Sequence, residues 1–339
     1  QVKKMAELGF MGMMVSPEYG GGGMDTISYV LAMEEISKVD ASASVIMSVN
    51  NSLVCWGLET YGSKDQKDKY LKRLATGEII GAFCLSEPEA GSDATSQRTT
   101  AIDKGDHYIL NGTKNWITNG NSASIYLVIA QTDHSLGHKG INAFIVEKET
   151  EGVIVGKKED KLGIRGSDTH SIMFTDVIVP KENRIGENGF GFSFAMKTLS
   201  GGRIGIAAQA LGIASGSYEL ALKYSKERKA FGKEISKHQA IAFKLADMAT
   251  EIEAARLLCL KAAWLKDNDK NYDKESAMAK VYASETAMKT STEAVQIHGG
   301  YGFVKEYHVE RLMRDAKITQ IYEGTSEIQR IVISRSVLK

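Results

Sequence analysis

The apolar residues Ile241, Leu245, Met248, Ile252, Ala255, Cys259 and Ala262 recur at alternating steps of four and three. That spacing returns to one face of a 3.6-residue helix and predicts a long amphipathic helix. Farther on, Val281, Met288 and Val295 keep a common register and predict a second long helix, which Gly299-Gly300 should end as C-cap glycines do. With stretches 203–225 and 325–338 the last third is expected to be a bundle of long helices. Residues 1–78 also look helical, with Asp25 or Thr26 capping a helix that runs to about Lys38. Between these flanks the texture changes to short apolar runs: Tyr108 to Leu110, Lys114 to Thr118, Ile125 to Ala130, Ala143 to Val146 and Ile172 to Val179. Asn111-Gly112 and Asn119-Gly120 separate the first three, and Asn-Gly between strand-like runs signals a hairpin. The expected fold is α+β: an N-terminal helical domain over 1–78, a middle antiparallel β-domain over 79–182 and a C-terminal helical bundle over 183–339.

Composition narrows the function classes. Forty-two Lys and Arg cancel forty-two Asp and Glu, leaving no basic excess for a phosphate backbone or an anionic bilayer. Neither a nucleic-acid partner nor membrane insertion is expected, since no apolar run reaches the roughly 18 residues of a span. The start lacks a signal-peptide pattern, so a soluble, intracellular protein is expected. Because residue 1 is Gln and helical texture begins at once, the N-terminal end is expected to be incomplete. Cys55, Cys84 and Cys259 lie far apart and read as buried thiols, with no disulfide framework and no metal site. Both common nucleotide fingerprints, G-x-G-x-x-G and G-x-x-x-x-G-K-[ST], are absent, so any nucleotide must be held differently. The glycine run Gly20 to Gly23 reads as a loop.

Single motifs have ordinary readings. In the stretch 321–329, Gly324 breaks the chain, Ser326 caps a new helix and Gln329 closes a capping box. His298 reads as a helix-end residue whose charge favours the C-terminal dipole, and Arg228 to Gly232 as a basic helix terminus. Glu87, Glu89 and Asp93 read as solvated carboxylates.

Taken in order, the segments 85–93 (LSEPEAGSD), 114–119 (KNWITN), 201–203 (GGR), 228–232 (RKAFG), 296–302 (QIHGGYG) and 321–326 (IYEGTS) resemble the signature segments of the acyl-CoA dehydrogenase family. The match covers essentially the whole chain and is nearest the short-chain, butyryl-CoA members. The resemblance implies the same three-domain order with a C-terminal four-helix bundle, an FAD cofactor, and oxidation of an acyl-CoA thioester to the trans-2-enoyl thioester. It also implies electron transfer to an electron-transfer flavoprotein and a homo-oligomer, usually a tetramer. Glu323 matches the family's catalytic glutamate, the base for the α proton. For FAD the resemblance points to Phe83, Cys84, Leu85, Ser86, Gly91, Ser92, Trp116, Ile117 and Thr118. It adds Arg228, Phe231, Gln239, Gln296, Ile297, His298, Gly299 and Gly300, and Thr325, Ser326 and Glu327 to close the site. For the substrate it points to Ser92, to a loop formed by Ser200, Gly201, Gly202 and Arg203, and to Gly324. The segment Ala41 to Ser48 has no cation where glutaryl-type relatives place an arginine, which disfavours a dicarboxylyl substrate. An acyl-CoA oxidase, a branched short-chain dehydrogenase and a non-enzymatic scaffold are the alternatives. The compartment expected is the cytoplasm for a bacterial source or the mitochondrial matrix for a eukaryotic one.

Overall fold

In the computed structural model, which describes residues 1–339, the order along the chain is helical, β, helical. Helices α1 (Val2–Glu7), α2 (Thr26–Val39), α3 (Ala41–Ser48), α4 (Trp56–Tyr61), α5 (Lys64–Gln66) and α6 (Lys72–Ala75) come first. Strands β1 (Gly81–Cys84), β2 (Thr100–Asp103), β3 (His107–Thr118), β4 (Ile125–Gln131), β5 (Ile141–Glu147), β6 (Val153–Lys158), β7 (Thr169–Pro180) and β8 (Arg184–Ile185) follow. Helix α7 (Gly191–Glu227) leads through the short strands β9 (Lys229–Ala230) and β10 (Lys233–Glu234) to α8 (Gln239–Asp267), α9 (Asp273–His298), α10 (Val309–Thr319) and α11 (Ser326–Val337). Contacts gather the chain into two units. One comprises Gln1–Met24, Val45–Asp160 and Gly166–Gly202, the other Asp25–Ser44, Lys161–Arg165 and Arg203–Lys339.

The first unit is built on a sheet of order β6-β7-β3-β2-β4-β5-β8, with β1 added to β4. Its pairs are antiparallel except that β1 and β2 run parallel to β4. Alternate residues of β3, β4, β5 and β7 point inward, and Tyr108, Leu110, Tyr126, Val128, Phe144 and Phe174 form its core. Asn111-Gly112 makes no hairpin. Strand β3 runs through it, and the register with β7 shifts there as a bulge. The Asn111 side chain is occupied across the strands, donating to Asp176 Oδ1 at 3.0 Å and accepting the Asp176 N–H at 2.9 Å. Gly112, at φ +148°, lies where a Cβ would collide with Thr99. A glycine inside a strand marks a bulge or a close approach as readily as a turn. Asn119 (φ +63°) does end β3, but β4 then pairs with β1, β2 and β5 instead of with β3. Asn50 ties helical and β segments of this unit together. Its amide donates to Met11 O and Leu74 O, and its carbonyl accepts the Gly81 N–H at 3.0 Å.

In the second unit, the α8 stripe is buried as the spacing predicts, from Leu245 to Ala262. Helix α9 differs. Val281, Met288 and Val295 are only half-buried, while the buried face is Ser276, Ala277, Ala279, Lys280, Ala283, Ser284, Ala287, Thr290, Ser291 and Ala294. Helix α9 packs against α8, α10 and α11, and small side chains let several helix backbones come close where large ones would not fit. Gly212 and Gly216 do the same for α7, since a Cβ at either would strike the backbone of α2 at Glu34 or Lys38. Helix α2 begins where expected: Asp25 is its N-cap and accepts the Ser28 N–H at 2.8 Å, and Asp267 takes the Thr26 and Ile27 N–H groups. Replacing Asp25 by Ala is expected to cost about 1 kcal/mol, measurable by urea denaturation. No helix is long and apolar enough to cross a membrane.

Candidate active site

The site is built on the turn between α10 and α11, residues 320–325. Thr325, and not Ser326, is the N-cap of α11: its side chain accepts the Ile328 N–H, and Ser326 is the first helical residue. The capping box drawn through Gln329 does not form. Gln329 reaches back instead, its Nε2 donating to Glu323 O at 3.2 Å and Gly324 O at 2.8 Å. Lys280 of α9 donates to the same Gly324 carbonyl at 2.6 Å. Tyr322 donates to Gln209 Oε1, and Gln209 Nε2 donates to Ala41 O at 2.8 Å and to Ser44 Oγ. Ser326 N–H closes the turn on Gln320 O at 2.9 Å. These fastenings hold Glu323 at φ +51° and Gly324 at φ +92°. A glutamate in the left-handed region is strained by roughly 1 kcal/mol or more, and such strain persists only where the surroundings over-determine it. None of these bonds uses the Glu323 N–H.

The Glu323 Oε2 is fully enclosed and takes no hydrogen bond. Burial pushes this carboxyl up to about 7, against the opposing pull of Lys280 and Arg203. The two cations are buried as well. Burial lowers Lys280 to about 8, and it lowers Arg203 from its ordinary value while Asp273 and Glu323 raise it. Burial and the neighbouring Glu323 charge raise the Tyr322 phenol well above its ordinary range, so it stays a neutral donor. A carboxyl poised near neutrality on a half-buried turn, with one oxygen shut away from solvent, can give up or take a proton at working pH, which is acid–base chemistry.

The structure places the other sequence-derived candidates as follows. Ser200, Gly201, Gly202 and Arg203 are consecutive residues inside α7 and do not form a loop; all four are buried. In the first unit, Phe83 and Cys84 belong to β1, and Leu85, Ser86, Gly91 and Ser92 follow it. Cys84 is fully buried and Ile117 nearly so, so both can offer a ligand only backbone groups. Trp116 stands on β3 at φ +57°, where the register with β7 shifts, and the residue is 58% exposed. Thr118 is the last residue of β3. Glu87 is not a solvated carboxylate. It is buried against Lys114 at 2.7 Å and accepts the Arg98 and Thr99 N–H groups.

In the second unit, Arg228, Ile297, His298, Gly299 and Gly300 line one groove of about 740 Å³. Gln296 is exposed on the last turn of α9, and Gln239 is exposed at the start of α8. Phe231 tops the β9–β10 hairpin at 96% exposure. His298 carries no helix-end charge. It is buried, stacked on Tyr224 at 4.2 Å, and burial lowers its imidazole below the ordinary value. Thr325, Ser326 and Glu327 open α11.

Each unit by itself offers surface that suits part of a large planar, phosphate-bearing cofactor. Trp116 presents an uncovered indole, the Arg228 guanidinium is exposed over the Tyr301 ring, and a Cβ at Gly91, Gly299 or Gly300 would meet nothing. Sequence reasoning missed Lys280, Gln209 and the inward role of Gln329. Lys280 had a signal, a lone cation among Ala and Ser at helical spacing (Ser276, Ala277, Ala283, Ser284, Ala287). Gln209 had none, because its partners Tyr322 and Ala41 lie more than a hundred positions away, and Gln329 was hidden because its spacing also fits a capping box.

The second unit offers a carboxyl near neutrality and the first an uncovered indole, each of a kind that enzymes use. Comparison with known proteins agrees. Family models for the acyl-CoA dehydrogenase N-terminal, middle and C-terminal domains match residues 1–78, 82–177 and 189–338. The chain belongs to the acyl-CoA dehydrogenase family, whose enzymes are FAD-dependent oxidoreductases. It is 53% identical over 338 residues to the short-chain specific acyl-CoA dehydrogenase of Clostridium acetobutylicum, covering 100% of this chain and 89% of that one. The structure of butyryl-CoA dehydrogenase from Megasphaera elsdenii is 50% identical with a TM-score of 0.98, covering 100% of this chain and 89% of that one. A chain from a structural study of the electron-transferring flavoprotein of Acidaminococcus fermentans is 54% identical with a TM-score of 0.99, at the same coverage.

Proposed function

We propose that this acyl-CoA dehydrogenase acts on short straight-chain acyl-CoA such as butyryl-CoA, and that Glu323 is the base that removes the α proton. The observation that carries the reading is the enclosed Glu323 carboxyl, held near neutrality on a left-handed turn. A carbon acid beside a thioester is weak, so its base must be ionised at working pH yet strongly basic. Desolvation raises the basicity while Lys280 and Arg203 keep the carboxylate form accessible. The Glu323 N–H, left over by the turn, is a ready donor to the thioester oxygen as negative charge develops there. Gly324 keeps the backbone beside it free of a side chain. Ser92 and the α7 segment from Ser200 to Arg203 would meet the CoA arm.

FAD, when bound, supplies the acceptor for the hydride from the β carbon. Residues Phe83 to Ser86, Gly91, Ser92 and Trp116 to Thr118 would hold its ring side. Arg228, Phe231, Gln239 and Gln296 to Gly300 would hold the diphosphate and adenosine end for a neighbouring subunit, so the proposal includes a homotetramer. The guanidinium suits a diphosphate because it offers charge and paired donors. Electrons are expected to pass to an electron-transfer flavoprotein.

The test is an anaerobic series on the yellow holoenzyme. Butyryl-CoA is expected to bleach the flavin faster than octanoyl-CoA or palmitoyl-CoA. A rate that rises with chain length, or no bleaching at all, would reject the short-chain reading.

A further inference from the structure

Lys280 is fully buried on the small-residue face of α9. Its hydrogen bond goes to a neutral group, the Gly324 carbonyl at 2.6 Å. That carbonyl already accepts from Gln329 at 2.8 Å, so the turn has an uncharged donor for the same task. A buried ammonium is expensive unless something opposite in charge uses it. The charged groups around Lys280 come from four elements: Glu323 on the turn, Arg203 on α7, Glu285 on α9 itself and Glu327 on α11. Tyr322 flanks Glu323, and Asp273 and Tyr272 face Arg203. Glu327 is exposed, and Glu285 is engaged by Gln320 Nε2 at 2.7 Å. Glu323 alone combines enclosure with an unpartnered oxygen.

We propose, resting on the reading of Glu323 as the base, that Lys280 is its positioning residue. It fixes the Glu323-Gly324 turn through the Gly324 carbonyl, and its positive charge sets the pH above which the carboxylate is available. Arg203 supplies the second charge from α7, and the two cations together offset the desolvation that a closed site imposes. Because burial brings Lys280 itself down to about 8, base and cation titrate close together and respond to one another.

The experiment compares wild-type, Lys280→Met and Lys280→Gln holoenzymes, reading kcat/KM for butyryl-CoA against pH together with FAD content. Both variants are expected to load FAD, and in both the rising acid limb should move up by about one pH unit, the effect of deleting a nearby opposite charge. On the plateau above that limb, Lys280→Gln should outperform Lys280→Met, because it keeps a donor for the Gly324 carbonyl. FAD-loaded variants whose acid limb coincides with that of the wild type would overturn the charge role, and equal plateaus would overturn the hydrogen-bonding role. Failure of both variants to fold or load FAD would overturn the proposal by assigning Lys280 to folding. A Glu323→Gln variant, with Lys280 intact, that turns over butyryl-CoA as the wild type does would instead remove the underlying reading, a result distinct from all of these.

Discussion

Glu323→Gln is expected to keep its yellow colour and its fold and to lose at least about a hundredfold in kcat with butyryl-CoA, the lower end of what a positioned general base contributes. The amide has nearly the shape of the acid, so the turn fastened by Lys280, Gln329 and Tyr322 should stay as it is. Only the ability to take a proton is removed. Stopped-flow bleaching of the flavin reads this step directly, and undiminished bleaching would defeat the assignment. In the wild type, kcat/KM should fall about tenfold per pH unit below about 7, where the carboxyl becomes protonated. Stability should run the other way. The folded-state value is raised above the ordinary 4.5, so the folded protein binds the proton more tightly than the unfolded chain. The cost of ionising the buried group therefore appears as pH rises from about 4.5 to about 7 and persists above. Glu323→Gln escapes that cost. It is expected to be more stable than the wild type at pH 8 by on the order of 3 kcal/mol and to match it near pH 4.

Lys114→Met is expected to give the largest loss of stability, about 3–5 kcal/mol, because it leaves the Glu87 carboxylate buried without its cation. Lys114 Nζ donates to Glu87 at 2.7 Å, to Leu85 O at 3.0 Å and to Gln97 at 3.2 Å, and it is fully buried. Burial alone would raise the Glu87 carboxyl. The Lys114 charge and the hydrogen bonds from Lys114, Thr99 and Arg98 outweigh it and hold the group below its ordinary value. That contribution is present above the ordinary carboxylate value and is lost as pH falls below it, so the wild type should approach the variant at low pH. Thermal denaturation at pH 7 and pH 4 checks both statements. The pair anchors both ends of the stretch from Leu85 to Thr99, which carries Ser86, Gly91 and Ser92, so a fall in FAD affinity should accompany the fall in stability. Adding Glu87→Gln is expected to recover part of the loss, since it removes the stranded charge while its single amide oxygen still accepts one of the two N–H groups, from Arg98 or Thr99, that the carboxylate takes.

Much of this site was readable before any coordinates. Periodicity of 3.6 found α8, one of the two capping candidates, Asp25, opens α2, and the ordered motifs pointed to Glu323. Other readings failed for definite reasons. Asn111-Gly112 carries the local mark of a hairpin, but Asp176, sixty-five residues away, supplies the partner that turns it into a bulge. The large apolar residues of α9 suggested the wrong buried face, because a helix packed on several sides buries its smallest residues. Ser326 and Gln329 fit a capping box on spacing, yet Thr325 caps the helix and Gln329 folds back on the turn.

By itself the sequence determined the order of helical and β segments, the absence of the usual nucleotide fingerprints and the acidic residue at 323, since these depend on neighbours a few positions apart. Only the tertiary structure decided that this residue has a carboxyl oxygen shut away from solvent, is bent into the left-handed region and is set beside Lys280 and Arg203. Desolvation and Coulomb interaction depend on distance through space, and the two cations come from helices 43 and 120 positions earlier in the chain. A carboxyl becomes a base at neutral pH through those neighbours, and no local pattern in the chain encodes where they will lie.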